Sequence, residues 1–278
     1  EDFDALYSAA SRGLTAEQFE NIPTEALSGF DSDDIDLLRP DVIEVLDSAS
    51  LNAMDASAIS GFNGSQTALI QPEAMSGLNA DTFVAFSGNA IGGLTADHVS
   101  NLPSDIFTQS DGSPNLSAIE QIAALQPEAV AGLSLEHIDH IPGDAPGPWD
   151  PIFEAHEGSD IGAVLTADQI SNFSSHIVMD HLNSDVIAAL SPEAASGISG
   201  DVMVSINPEG MSGFTAEHIE ALPDDAFSAI NEMKLANLDP SAMSAFTAED
   251  IDALYSGASR GLTAEQFENI PTEALSGF

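Results

Sequence analysis

Residues Leu14–Phe30 read LTAEQFENIPTEALSGF. Large apolar residues fall at Leu14, Phe19, Ile22, Leu27 and Phe30, in steps of 5, 3, 5 and 3. The i, i+3 pairs Phe19/Ile22 and Leu27/Phe30 fit one face of a helix, and a 5-3 rhythm does not fit the strict alternation of a half-buried strand. The stretch divides into two octads, LTAEQFEN and IPTEALSG, each apolar at its first and sixth positions and acidic at its fourth. Thr15 opens the first octad as a candidate N-cap, with Gln18 three residues on as in a loose capping box. Pro23 opens the second, and proline suits the first helical position because its missing N–H is not needed there. Gly29 closes it, where a left-handed C-terminal cap is expected.

The pattern extends outward in both octad types. The apolar register continues from Phe30 through Ile35, Leu38, Ile43, Leu46, Leu51, Met54, Ile59 and Phe62, and blocks from Leu78, Leu133, Ile198, Phe214 and Ile230 keep the 16-residue step. Thr95, Thr166, Thr215, Thr247 and Thr263 repeat the first opening; Pro72, Pro103, Pro127, Pro192 and Pro223 repeat the second; Gly61, Gly77, Gly93, Gly132, Gly197, Gly213 and Gly277 repeat the close. A fixed period governs architecture before any local element does. Helices of six or seven residues do not persist alone in water. They hold only by stacking, which makes stability a sum of neighbour interfaces. The expected fold is an all-α solenoid of very short helices, two per 16-residue coil, continuous over 1–278. A β-solenoid is the alternative, disfavoured because Val, Thr and aromatic residues are not gathered in runs.

A larger repeat encloses the small one. Glu1–Phe30 and Glu249–Phe278 differ only at Phe3/Ile251 and Ala9/Gly257, at an offset of 248 residues. Fifteen 16-residue blocks account for 240 of these; about seven extra residues near 110–116 and one near His181 account for the rest. The chain therefore reads as one unit of a tandem array and the start of the next, continuing beyond both ends. Irregular stretches lie near 108–116 and 142–161. Trp149, the single tryptophan, stays on the apolar register within the second, as a core plug or as a lateral contact.

Forty-six acidic residues face four bases, Arg12, Arg39, Lys234 and Arg260, for a net charge of −42. With 43% hydrophobic residues this is not a disordered acidic tail. The charge excludes nucleic-acid binding, which needs a basic face, and attraction to anionic membrane surfaces. There is no cysteine. No apolar run reaches membrane-spanning length, so no membrane insertion is expected. Self-repulsion of such a chain calls for salt or bound cations, hence an ion-rich extracellular or cell-surface setting.

The carboxylates form ladders at the fourth octad position, among them Glu17, Asp33, Asp81 and Asp97 in Thr-type octads and Glu25, Asp41, Glu73 and Asp105 in Pro-type octads. A carboxylate in a helix's first turn offsets the macrodipole. Ca²⁺, which takes six to eight oxygen ligands, is the possible cofactor. Its candidate ligands are Asp31, Asp33, Asp34 and Asp36, crowded after Phe30, and Asp111 and Asn115 in the first irregular stretch. His98 and His137 share the octad position of Gln18, Gln169 and Gln266, which marks them as interchangeable capping residues rather than zinc ligands. No G-x-S-x-G, H-E-x-x-H or phosphate loop occurs, and no carboxylate pair stands apart. No enzyme is expected.

The runs LTAEQFENIPTEALSGF, QPEAMSGL, LTADQI and LTAEHIEALPDDAFSAI resemble the T-A-E-Q-I / P-E-A-I-x-G-L tandem segments of very large, acidic secreted bacterial proteins. Those proteins often carry RTX-type calcium modules elsewhere and act at the cell surface or in the extracellular matrix. The RTX nonapeptide is absent here, so calcium binding does not carry over to particular residues. The expectation is a structural extracellular filament or stalk that assembles with itself, end to end and laterally. The alternative is the spacer of a large calcium-dependent adhesin.

Overall fold

The structure, a computed structural model, describes residues 11–139 and 149–278. The chain divides into two compact units, Glu1–Ala155 and His156–Phe278. Both are built of short α-helices and 3-10 turns, and among the described residues the one β pairing is an isolated bridge between Thr108 and Pro114. The fold is all-α and solenoid-like; the β-solenoid is set aside.

Among the described residues, an octad as a rule forms one helical segment. In the first unit, segments begin at Ala16, Thr24, Ser32, Pro40, Ser48 and onward to Ala96 and Ser104, one every eight residues. Their stacking corrects the expected coil. Ser48–Ala53 packs on Thr24–Gly29, Pro72–Gly77 on Ser48–Ala53, and Ala96–Ser100 on Pro72–Gly77. A second side runs through Ala16–Glu20, Pro40–Ile43, Gly64–Thr67 and Gly88–Ile91, and a third through Ser32–Asp36, Ala56–Ile59, Ala80–Ala85 and Ser104–Phe107. The coil therefore holds three octads in 24 residues, not two in 16. Three sides enclose an interior in which every apolar stripe meets two others; two would leave a thin layer with little to bury. The 16-residue sequence period records the alternation of octad type, which is independent of the turn of the chain. Because three is odd, along these stacks each Thr-type octad rests on a Pro-type octad and each Pro-type octad on a Thr-type one.

The second unit repeats the plan. Ser184–Ala189, Pro208–Gly213, Glu232–Asn237 and Ala258–Gly261 form one side; Gly200–Ser205, Asp224–Phe227, Ala248–Ala253 and Ala274–Gly277 form another. Ile35, Ile43, Leu51, Phe83 and Phe107 fill the interior of the first unit, and Ile187, Phe214, Phe227 and Phe246 that of the second. Each such side chain contributes about 1.5–3 kcal/mol on burial. The ring pairs Phe62–Phe86 at 5.7 Å and Phe83–Phe107 at 6.4 Å join residues one coil apart. Trp149 is buried, 6.3 Å from Phe153, as a core plug rather than a lateral contact. The proline-rich residues 140–148 lie outside the described residues.

The cap expectations hold in part. Thr15, Thr95, Thr166, Thr215, Thr247 and Thr263 all form capping boxes with the residue three positions on. Pro72, Pro127 and Pro192 occupy the first helical turn, whereas Pro23, Pro103 and Pro223 are themselves the N-cap, with φ near −60°. The glycine expectation fails. Among the described residues only Gly112 and Gly257 have positive φ, and neither closes a Pro-type octad in that list. Side chains cap the carbonyl ends instead: Ser28, Ser76, Ser212 and Ser276 hydroxyls donate to the carbonyl three residues back. In Thr-type octads, Asn21, Asn101 and Asn269 amides donate four residues back.

Near 108–116 the chain makes a turn through Gly112, and Pro127–Val130 then resumes stacking on Ala96–Ser100. Near His181 the helix Ser175–His181 runs to seven residues.

Candidate functional site

Two chemistries alternate between coils. Where a Pro-type octad lies on a Thr-type one, backbones nearly touch. A Cβ on Gly93 would stand 2.0 Å from the Gly64 carbonyl oxygen, on Gly213 2.3 Å from that of Ser184, and on Gly277 2.2 Å from that of Ala248. These glycines serve close approach, not backbone handedness.

In several Thr-type octads that lie on Pro-type ones, the third helical residue is a buried polar rung. His98 Nδ1 accepts from the Thr95 N–H at 3.0 Å, so Nε2 carries the proton and donates to the Ile70 carbonyl at 2.6 Å. His137 bonds Ser134 N–H and the Leu102 carbonyl in the same way, and His218 bonds Thr215 N–H and the Leu190 carbonyl. Gln66 Oε1 accepts from the Asn63 N–H while its amide donates to the Ile35 carbonyl at 2.7 Å. Gln266 caps Thr263 and donates at 2.7 Å to both Leu235 and Leu238 carbonyls. Histidine and glutamine interchange here because each places an acceptor and a donor at opposite ends of a flat group. Sequence analysis found the capping half of this role; the bridge to the coil beneath was not visible, because its partner lies 28–35 residues away.

Lys234 occupies the same position at 4% exposure. Asn231 Oδ1 accepts from its N–H at 3.0 Å, and its Nζ donates to the Met203 and Val204 carbonyls. Burial pushes its pKa below the ordinary 10.5. One of the four bases is thus withdrawn from the surface and serves as a rung.

Four of the six candidate calcium ligands, Asp31, Asp34, Asp111 and Asn115, are engaged locally. Asp31 is an N-cap whose Oδ1 accepts from Asp33 and Asp34 N–H at 2.9 and 3.1 Å. Asp34 returns the bond to the Asp31 N–H and accepts from the Ser11 hydroxyl at 2.6 Å. Asp31 and Asp34 are therefore brought together as a capping box, with Asp34 in the rung position; Asp33 and Asp36 are exposed. Asp111 Oδ1 accepts from the hydroxyl and N–H of Ser113 at 2.6 and 2.9 Å, and these bonds lower its pKa. Asn115 caps Leu116–Gln121 and donates to the Ile106 carbonyl at 3.2 Å. Among the described residues no three His, Asp or Glu side chains converge as metal ligands would. No helix among them is long and apolar enough to cross a membrane.

No protein-family model matches the chain, and no curated protein matches it.

Proposed function

We propose that the chain is part of a structural extracellular filament or surface stalk, built from tandem 248-residue units and neutralised by cations. One observation carries this: Glu1–Phe30 recurs at Glu249–Phe278 with two differences. Set beside the three-octad coil, the offset becomes geometric. Without its eight extra residues, the 248-residue unit is thirty octads, which would fill ten coils. Thirty is also a multiple of six, the number of octads after which both side and octad type recur.

The role is mechanical, not catalytic, and the partner is the chain itself. Its acidic surface disfavours nucleic acid. Two unit charges 10 Å apart repel by only about 0.4 kcal/mol in water, but the effect sums over many pairs. Monovalent salt screens beyond about 8–10 Å, and Ca²⁺ at exposed carboxylates such as Asp33 and Asp36 would stabilise the chain further by mass action. Imaging of native material tests the reading: fibres are expected to repeat at one unit or a multiple of it, and a repeat matching neither overturns it. Ca²⁺ is expected to raise the melting temperature more than NaCl at equal ionic strength; equal values would remove calcium from the proposal. The alternative, a spacer in a calcium-dependent adhesin, is favoured only by the sequence resemblance, and distinct terminal domains in the full-length protein would support it.

A further inference from the structure

The seventh position of many octads faces solvent and carries a polar residue: Glu20, Ser100, Glu220 and Asp252 in Thr-type octads, Ser28, Ser212 and Ser228 in Pro-type ones. Two stacked helices of the second unit break this rule. Met179 and Val204 hold the seventh position of the octads that begin at Phe173 and Ile198, and are 47% and 65% exposed. Gly200–Ser205 has Ser175–His181 packed on one side of it and Asp224–Phe227 on the other. Val204 is thus exposed between two neighbouring coils, on the flank of the stack. The next coil pins both backbones: the Asn207 amide donates to the Met179 carbonyl at 2.7 Å, and Lys234 Nζ to the Val204 carbonyl at 2.9 Å. Met179 also gives up the hydroxyl with which Ser212 and Ser228 cap their own helices. A departure from a local rule that brings no local gain is where function is sought. Val204 lines an open groove with Asp201, Asp225, Ala229, Lys234 and Tyr255. The Lys234 ammonium is spent on the Met203 and Val204 carbonyls, whereas Asp201 is exposed and Asp225 turns Oδ2 to the Gly200 N–H at 2.8 Å.

We propose that this flank docks an extended segment of another protein, one that carries lysine or arginine next to aliphatic side chains. Apolar side chains scattered singly over a surface are ordinary, but aligned ones rimmed by polar groups mark interaction sites. Charge selects the occupant. Aliphatic groups would cover Met179 and Val204 while a basic head met Asp201 and Asp225, with the Tyr255 ring in the same groove for a cation–π contact. A second copy of this chain carries a net charge of −42 and would set carboxylates against carboxylates. The proposal goes beyond the filament reading and does not rest on it, since a flank stays open however many coils are stacked.

The test titrates the full chain with a synthetic peptide of alternating leucine and lysine, in about 0.15 M NaCl so that distant charges are screened. The peptide is expected to shift the methyl NMR signals of Met179 and Val204. Its dissociation constant is expected to rise about tenfold or more in the double variant Met179→Ser with Val204→Ser. Serine already holds this position in other octads, and both side chains are exposed, so the variant should melt with the wild type. Shifts scattered over the acidic surface, with the Met179 and Val204 methyls unmoved, overturn the proposal whatever the variant does. Equal affinity for a serine–lysine peptide overturns it by showing that charge alone binds. Equal affinity for a leucine–glutamate peptide overturns the choice of a basic partner. Self-association of the chain that the double variant abolishes would give the flank to a second copy and overturn it as well.

Discussion

Gly213 and His218 belong to neighbouring octads and meet the coil beneath in opposite ways. Gly213 works by lacking a side chain, letting its backbone close on Ser184; His218 works by filling the gap with a buried group that bonds both Thr215 and Leu190. At this pair the two octad types meet the coil beneath with different chemistry, one contact set by distance and the other by hydrogen bonding. Both are forced by an odd number of octads per coil, since an even number would stack like on like.

The steric contact is the harder to perturb. Gly213→Val would place its Cβ 2.3 Å from the Ser184 oxygen and 3.0 Å from Ile187 Cβ. A loss of about 3 kcal/mol is expected, in the upper range of overpacking, read from urea unfolding of the second unit. Gly13→Val is the control, because a Cβ there meets nothing within 4 Å. Equal midpoint shifts for the two variants would break the assignment of Gly213 to close approach.

The polar contact should yield next. His218→Ala leaves the Leu190 carbonyl and the Thr215 N–H buried without their partner, a cost of about 2 kcal/mol. His218→Gln keeps an acceptor and a donor in place and should recover most of it. If glutamine were as damaging as alanine, the rung would be packing rather than hydrogen bonding.

Much of this was legible locally. One helix per octad, the threonine capping boxes and the buried apolar register follow from residues within eight positions of one another. The coil was not legible, because a two-octad alternation carries no record of how many octads make a turn. Glycine misled for a related reason: the sequence looks the same whether the residue is needed for positive φ or for a missing Cβ. The serine before it was the available signal. In Ser28-Gly29, Ser212-Gly213 and Ser276-Gly277 the hydroxyl already satisfies a helix carbonyl, leaving no cap for a left-handed residue to supply. The acidic cluster at Asp31–Asp36 was read as crowded charge, but Asp34 stands where Gln66 and His98 stand, and position in the octad explains it.

Lys234 sharpens the rung comparison by placing a charge where other octads place a neutral group. Its lowered pKa means that the folded chain holds the proton less tightly than the unfolded one. The penalty is therefore fully present below the folded value and fades as pH rises toward the ordinary 10.5. Lys234→Gln is expected to stabilise the second unit at neutral pH by on the order of 1 kcal/mol. The difference from wild type should shrink as pH approaches the lysine range. A difference constant with pH would mean that burial of the charge is not what the substitution relieves.

The smallest effect is expected at Asp111, in the turn that leaves the stack. Its carboxyl lies below the usual carboxylate range because first the Ser113 hydroxyl and then the Ser113 N–H bind the charged form. A lowered folded pKa contributes order above the ordinary value of 3.8 and loses it as pH falls through the folded value. These bonds lie within the turn and touch no neighbouring coil. Asp111→Ala should speed amide exchange at Ser113 at neutral pH and leave the melting temperature unchanged. In acid, wild type and variant should exchange alike, since the protonated carboxyl no longer accepts both bonds as strongly. A lowered melting temperature in the variant would place the turn among the contacts that hold the coils together, alongside glycine approach and polar rung, instead of outside them.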